Sequence, residues 1–206
     1  ELFQYGIEFI TMGNHVWDQR SIMTFIDHEE RLIRPANYPT GAPGRGYGYI
    51  RKNGAKVGVL NLSGRVYLQN LDDPFSGAIR WINEIKQETP IIIVDFHAEA
   101  TSEKVALGWF LDGKVTAVLG THTHIQTADA RLLHNGTAYI SDVGMTGPRD
   151  SVLGIKKETI INRFLTQLPA KFELAGGPIQ LNAVVIDVDE NTGKARSIEA
   201  IQRIKE

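Results

Sequence analysis

Four of the six histidines in this 206-residue chain fall in three short segments: Asn14-His15, His97, and His122 with His124. Imidazole nitrogens and amide oxygens are ligands for divalent transition ions. Thr121-His122-Thr123-His124 is the sharpest of the three. In an extended segment, residues two apart project to the same side, so His122 and His124 could reach one ion, or one each of two adjacent ions. The competing explanation is a pair of surface histidines in a loop. His97 follows Asp95-Phe96 at the end of an apolar run, and Asn14-His15 follows Gly13. Singly, these are ordinary core and turn chemistry. Jointly, three such segments at three strand ends fit a divalent-metal site.

Asp95, Glu99 and Glu103 add carboxylates nearby. Glu99 is nearest His97 and could orient that imidazole by accepting its second N–H. Glu103 reads as negative charge in the first turn of a helix. His28, in His-Glu-Glu-Arg, and His134, beside Asn135-Gly136, read as solvated or locally hydrogen-bonded. Gly41–Gly48 resembles a phosphate loop only superficially, because it precedes a strand rather than a helix N-terminus. Asp142–Gly147 follows another strand end and is either a pocket-lining segment or, the preferred reading, a turn-rich loop. Trp17, Trp81 and Trp109 read as core residues rather than a base-stacking platform.

The elements that must position these groups follow from hydrophobic periodicity. Ile7–Met12, Ile91–Phe96 and Val115–Leu119 are apolar runs, as expected of buried strands. Each ends just before one of the three segments, and ligands of open α/β sheets gather at that edge. Asp18 is expected to open a helix carrying Ile22, Phe25 and Ile26. Pro74 suits the first turn of a second helix. Ser102 is expected to cap a third, through Leu111. Lys156–Leu168 is amphipathic, with Ile160, Ile161, Phe164, Leu165 and Leu168 on one side. Asn53-Gly54 and Asn135-Gly136 are hairpin chemistry, and Ile179–Val188 with Ala195–Ile204 forms a last hairpin.

Composition sets the outer bounds. The absence of cysteine excludes a disulfide scaffold and Cys-ligated zinc. Lys plus Arg is 22 and Asp plus Glu is 24, and the net charge of −2 argues against a strongly basic nucleic-acid binder. With 42% hydrophobic residues and little net charge, disorder is excluded as the main state. No run approaches the ~18 apolar residues of a membrane span, so no membrane partner is expected. The chain reads as a single domain, residues 1–206, of α/β class with a mixed sheet.

GNH at 13–15, a strand-end His97 and GTHTH at 120–124 stand in the order found in calcineurin-like metallophosphoesterases. TMGNHVWD, RPANYP, VDFHAEATSEK, GTHTHIQTAD and SDVGMTGP, spread over nearly the whole chain, resemble the bacterial YmdB family of that superfamily. The resemblance implies a four-layer α/β/β/α sandwich with two divalent metals at the strand ends. It implies a phosphodiesterase in the bacterial cytoplasm, acting on 2′,3′-cyclic nucleotides. The substrate would be a small cyclic nucleotide or phosphodiester, RNA-derived ones included, and a homo-oligomer is left open. Carried over residue by residue, Asn14, His97 and His122 would hold one metal and His124 would help hold the other. His15 would donate a proton or stabilise the transition state. The ligand set suits Fe, Mn or Zn alike.

The family also has an aspartate after its first strand and a Gly-Glu-Asn segment after its second, and nothing here matches either. They are expected upstream of Glu1, on the order of 50 residues in all, or one βαβ unit plus a helix. On that expectation the sandwich is missing its first strands, and the second metal keeps His124 alone. Two rivals remain. A metal-dependent amidohydrolase also uses His-x-His, but the late hairpins do not suit a (β/α)₈ barrel. A non-enzymatic or inactive metal- or nucleotide-binding regulatory module fits a chain without those carboxylates.

Overall fold

The computed structural model describes all 206 residues. Ile10–Thr11 (β1) and Leu32–Ile33 (β2) form a short parallel pair. Tyr47–Lys52 (β3) and Ala55–Ser63 (β4) form a hairpin. Its turn residues Asn53 and Gly54 take φ of 50° and 88°, the left-handed values that a two-residue hairpin turn needs. Next come Ile92–His97 (β5), Ala117–Thr121 (β6), Arg131–Leu132 (β7) and Ala138–Ile140 (β8). They complete a six-stranded sheet in the order β3-β4-β5-β6-β8-β7. The four inner strands are mutually parallel, and the two edges are antiparallel.

The alternation along β5 assigns the layers. Ile92, Val94 and Phe96 are fully buried against Pro74–Ile85 (α1) and Thr101–Leu111 (α2), through Ile82, Ile85, Leu107 and Leu111. Removing each such side chain from water contributes about 1.5–3 kcal/mol. Ile93 points the other way. With Ala117, Leu119 and Ala138 it meets Ile186 and Ile198 of a second sheet. That sheet comprises Gly147–Pro148 (β9), Ile179–Val188 (β10) and Ala195–Lys205 (β11). Helices on one face and a second sheet on the other give the expected mixed α/β architecture. Pro74 does occupy the first turn of α1, which Asp73 caps by accepting from the amides of Phe75 and Ser76.

Several local expectations change. The first strand shortens to β1, and the helix expected after Asp18 is a 3₁₀ turn, Arg20–Thr24, with Ile22 and Ile26 buried and Phe25 exposed. Ser102 lies inside α2, whose N-cap is Ala100 with no side-chain cap. Trp109 is exposed rather than core, with His134 stacked on its ring at 5.3 Å. In Lys157–Thr166 (α3) only Ile160 is buried; Ile161, Phe164 and Leu165 face solvent, as does Leu168 just beyond it. Periodicity shows that a face is apolar, not that something covers it.

Candidate functional site

The large sheet itself brings the histidines together. β5 and β6 are adjacent and parallel, with His97 opposite Thr121 in register. Their C-terminal ends therefore deliver His97 and His122 to one place. Asn14 arrives from the end of β1, where Asn61 of β4 donates from its amide to the carbonyl of Met12. Gly13 has no side chain because the His97 ring fills the space a Cβ would need.

Three ligand-type atoms converge. Asn14 Oδ1 lies 2.9 Å from His97 Nε2, which lies 3.1 Å from His122 Nδ1. The outer partners say where the protons are. The Thr121 hydroxyl donates to Asp95 Oδ1 at 2.8 Å. It therefore accepts from His97 Nδ1, at 3.1 Å. On the other ring, Nε2 of His122 contacts Glu99 Oε2 at 3.0 Å. Both imidazoles thus spend their N–H outward and turn a lone pair inward, toward the amide oxygen. Lone pairs about 3 Å from that of His97 Nε2 on both sides repel it unless a cation sits among them. Ligand atoms held ~2.0–2.2 Å from one ion lie about that far from each other.

Electrostatics keep the rings in ligand form. Burial, reinforced by neighbouring His122 and Lys104, lowers the pKa of His97 to about 4. Burial also lowers His122, against the opposing pull of Glu99. Burial raises Asp95.

The His122–His124 segment is not extended, which corrects the same-side expectation. His122 has φ 104° and His124 φ 71°, a region that costs a side-chain-bearing residue of order 1–3 kcal/mol and clusters at functional sites. Between them, Thr123 donates its backbone N–H and its hydroxyl to Asp142 Oδ2, at 2.9 and 2.7 Å. The same oxygen accepts from Lys104 Nζ at 2.8 Å, and both members of this ion pair are almost completely buried. Burial alone would push Asp142 up, but the bonds from Lys104 and Thr123 hold its carboxyl below the usual range.

Asn14, His97 and His122 therefore meet, whereas no three histidine or carboxylate side chains gather around one point. His124 is exposed and makes no hydrogen bond. His15 is exposed too, with Nδ1 held by Asp18 at 2.8 Å. Glu99 orients His122, not His97, because the loop after β5 turns it toward the neighbouring strand end. Glu103 is not free first-turn charge: it is buried and accepts from the amides of Arg65 and Val66 in the loop after β4. Asp142–Gly147 is more than a turn-rich loop, since it supplies the carboxylate beneath Thr123. Sequence reasoning missed Asp18, Thr121, Lys104 and Asp142 as supporting residues. For Asp18 a signal existed, three residues after His15. For Asp142 the signal was its place at a strand end; for Lys104 there was none.

The chain is similar to known proteins over nearly its whole length. The chain is 56% identical, over 97% of its own length and 76% of the other's, to a 2′,3′-cyclic-nucleotide 2′-phosphodiesterase of Bacillus subtilis (strain 168). A crystal structure of a hypothetical protein from Thermus thermophilus superposes with a TM-score of 0.93, at 38% identity, covering 100% of this chain and 79% of that one. The crystal structure of a phosphatase from Mycoplasma pneumoniae gives a TM-score of 0.90, also at 38% identity, covering 98% of this chain and 74% of that one. Residues 1–201 match the family described as YmdB-like protein, and the chain belongs to that family.

Proposed function

We propose that this protein is a divalent-metal-dependent phosphodiesterase that opens 2′,3′-cyclic nucleotides. The observation that carries the proposal is the inward-facing trio of Asn14 Oδ1, His97 Nε2 and His122 Nδ1, each within about 3 Å of the next. The 56% identical Bacillus subtilis phosphodiesterase supports the substrate class. Asn14, His97 and His122 would hold one ion, with His124 contributing to a second; Fe, Mn and Zn all suit such N/O donors. Bound divalent ions would supply Lewis-acid polarisation of the phosphoryl group and activation of water.

The protein's own groups do the rest. Asp18 fixes His15 through Nδ1 and leaves Nε2 without a protein partner. As water forms its bond to phosphorus and the P–O2′ bond breaks, His15 in its doubly protonated form gives the Nε2 proton to the departing ribose oxygen and keeps Nδ1–H on Asp18. Asp95, through Thr121, and Glu99 hold the two ligand rings in the tautomers that face the ion. The anionic substrate does not require a basic surface, because the ions supply the positive charge. No helix is long and apolar enough to cross a membrane; the proposal places the activity in the bacterial cytoplasm.

His15→Ala tests the assignment. Cyclic-phosphodiester hydrolysis should fall by about 10²–10⁴-fold, the usual contribution of a general acid, while calorimetric Mn²⁺ binding stays unchanged. Loss of the metal in that variant would make His15 a ligand instead. Absence of metal-dependent hydrolysis in the unsubstituted protein would sink the proposal.

A further inference from the structure

Resting on that metal site, we infer that the buried Lys104–Asp142 ion pair is a positioning device that holds the His122–His124 loop in ligand geometry before an ion arrives. The loop is sewn to the segment after β8 at several points. Besides the two bonds from Thr123, Val143 donates its N–H to the carbonyl of Gly120 at 2.9 Å, and Thr127 donates its N–H to the carbonyl of Asp142 at 3.0 Å. Asp142 returns its own N–H to Thr127 Oγ1 at 2.9 Å, and its Oδ1 accepts from Gly144 at 2.8 Å. Asp142 thereby meets the loop both through its backbone and through Oδ2. That oxygen acts on Thr123, the residue between the two left-handed histidines.

The energetics favour this role over plain stabilisation. A buried ion pair loses hydration that its attraction barely recovers, and a well-packed apolar pair of similar volume is often as stable or more so. The left-handed backbone at His122 and His124 also needs an external tether. One helix supplies two such tethers. Glu103 of α2 binds the loop after β4, and its neighbour Lys104 reaches Asp142 under the loop after β6. The strand between those loops is β5, which carries His97. Lys104 and Asp142 touch no ligand atom of the trio, so they act through Thr123 and its neighbours.

The test is a charge-free double variant, Lys104→Met with Asp142→Leu, in the full chain. Its melting temperature should change little, because losing two costly buried charges offsets the Thr123 and Gly144 donors left without an acceptor. Affinity for Mn²⁺ alone, by calorimetry, should fall about 10–100-fold, the range seen when outer-shell partners of a metal site are removed. Without metal, the Thr123 amide should exchange with solvent faster while amides of β5 stay protected. Thr123→Val keeps the ion pair and loses one bond, so its affinity should fall by a smaller factor; this variant decides the matter if the double variant does not fold. Parental Mn²⁺ affinity and parental Thr123 protection in a folded double variant would overturn the inference, as would parental affinity in Thr123→Val. Failure of the parent itself to bind Mn²⁺ would instead remove the metal site on which the inference rests.

Discussion

His97 and His122 meet Asn14 in a partly buried corner where their outward nitrogens already have partners, whereas His15 and His124 stand in solvent with one partner between them. The two halves are built by different means. The first is fixed by the sheet: parallel register sets the spacing of His97 and Thr121, and side-chain bonds set the tautomers. The second is carried on turns, and its side chains stand in solvent with the His15–Asp18 contact as their one bond. The difference lies in the side chains: those of His97 and His122 are oriented by partners, and that of His124 has none.

The largest blow to this contrast should come from His97→Ala. It removes the central atom of the trio, so metal-dependent hydrolysis should drop by more than the ~10–100-fold typical of an outer-shell change, and metal should be lost with it. Retention of metal by that variant would erase the distinction between the halves. Glu99→Gln probes the same half more gently. Glu99 is half exposed, so its removal should weaken Mn²⁺ binding by only about 10-fold, the low end of that range, and leave the melting temperature unchanged. A loss as large as that of His97→Ala would make Glu99 itself a ligand.

The smallest effect expected is on stability against pH in the metal-free protein. Unfolded, His97 takes up a proton near 6.5; folded, only at about 4. Between those values the unfolded state binds more protons, so stability is fully present above pH 6.5 and declines as pH falls toward 4. Thermal melts across that window should show a shallower slope in His97→Gln than in the parent. Equal slopes would mean that the ring is not held neutral by burial.

Much of the pre-organised half was legible in the sequence. Ile-Ile-Ile-Val-Asp-Phe, β-branched and continuous, reads as a strand buried on both faces, which puts His97 at its end. The Asn-Gly turns announced their hairpins. The left-handed conformation of His122 and His124 was not legible, because nothing local demands it; the tether lies 19 residues from Thr123, on Asp142. The same limit explains Glu99. Sequence distance put it beside His97, but a one-strand shift in the fold put it against His122. It explains α3 as well, whose apolar pattern matches that of α1 although only α1 has a sheet to cover.

Gly13 carries a consequence of another kind. Because the His97 imidazole occupies the volume a methyl at position 13 would take, the site can be switched off without altering any ligand, proton donor or tether. One added carbon at the end of β1 would overlap the ring and force it to shift. That makes position 13 a handle on the histidine corner: a substitution there displaces His97 from behind without touching Asn14 or His122.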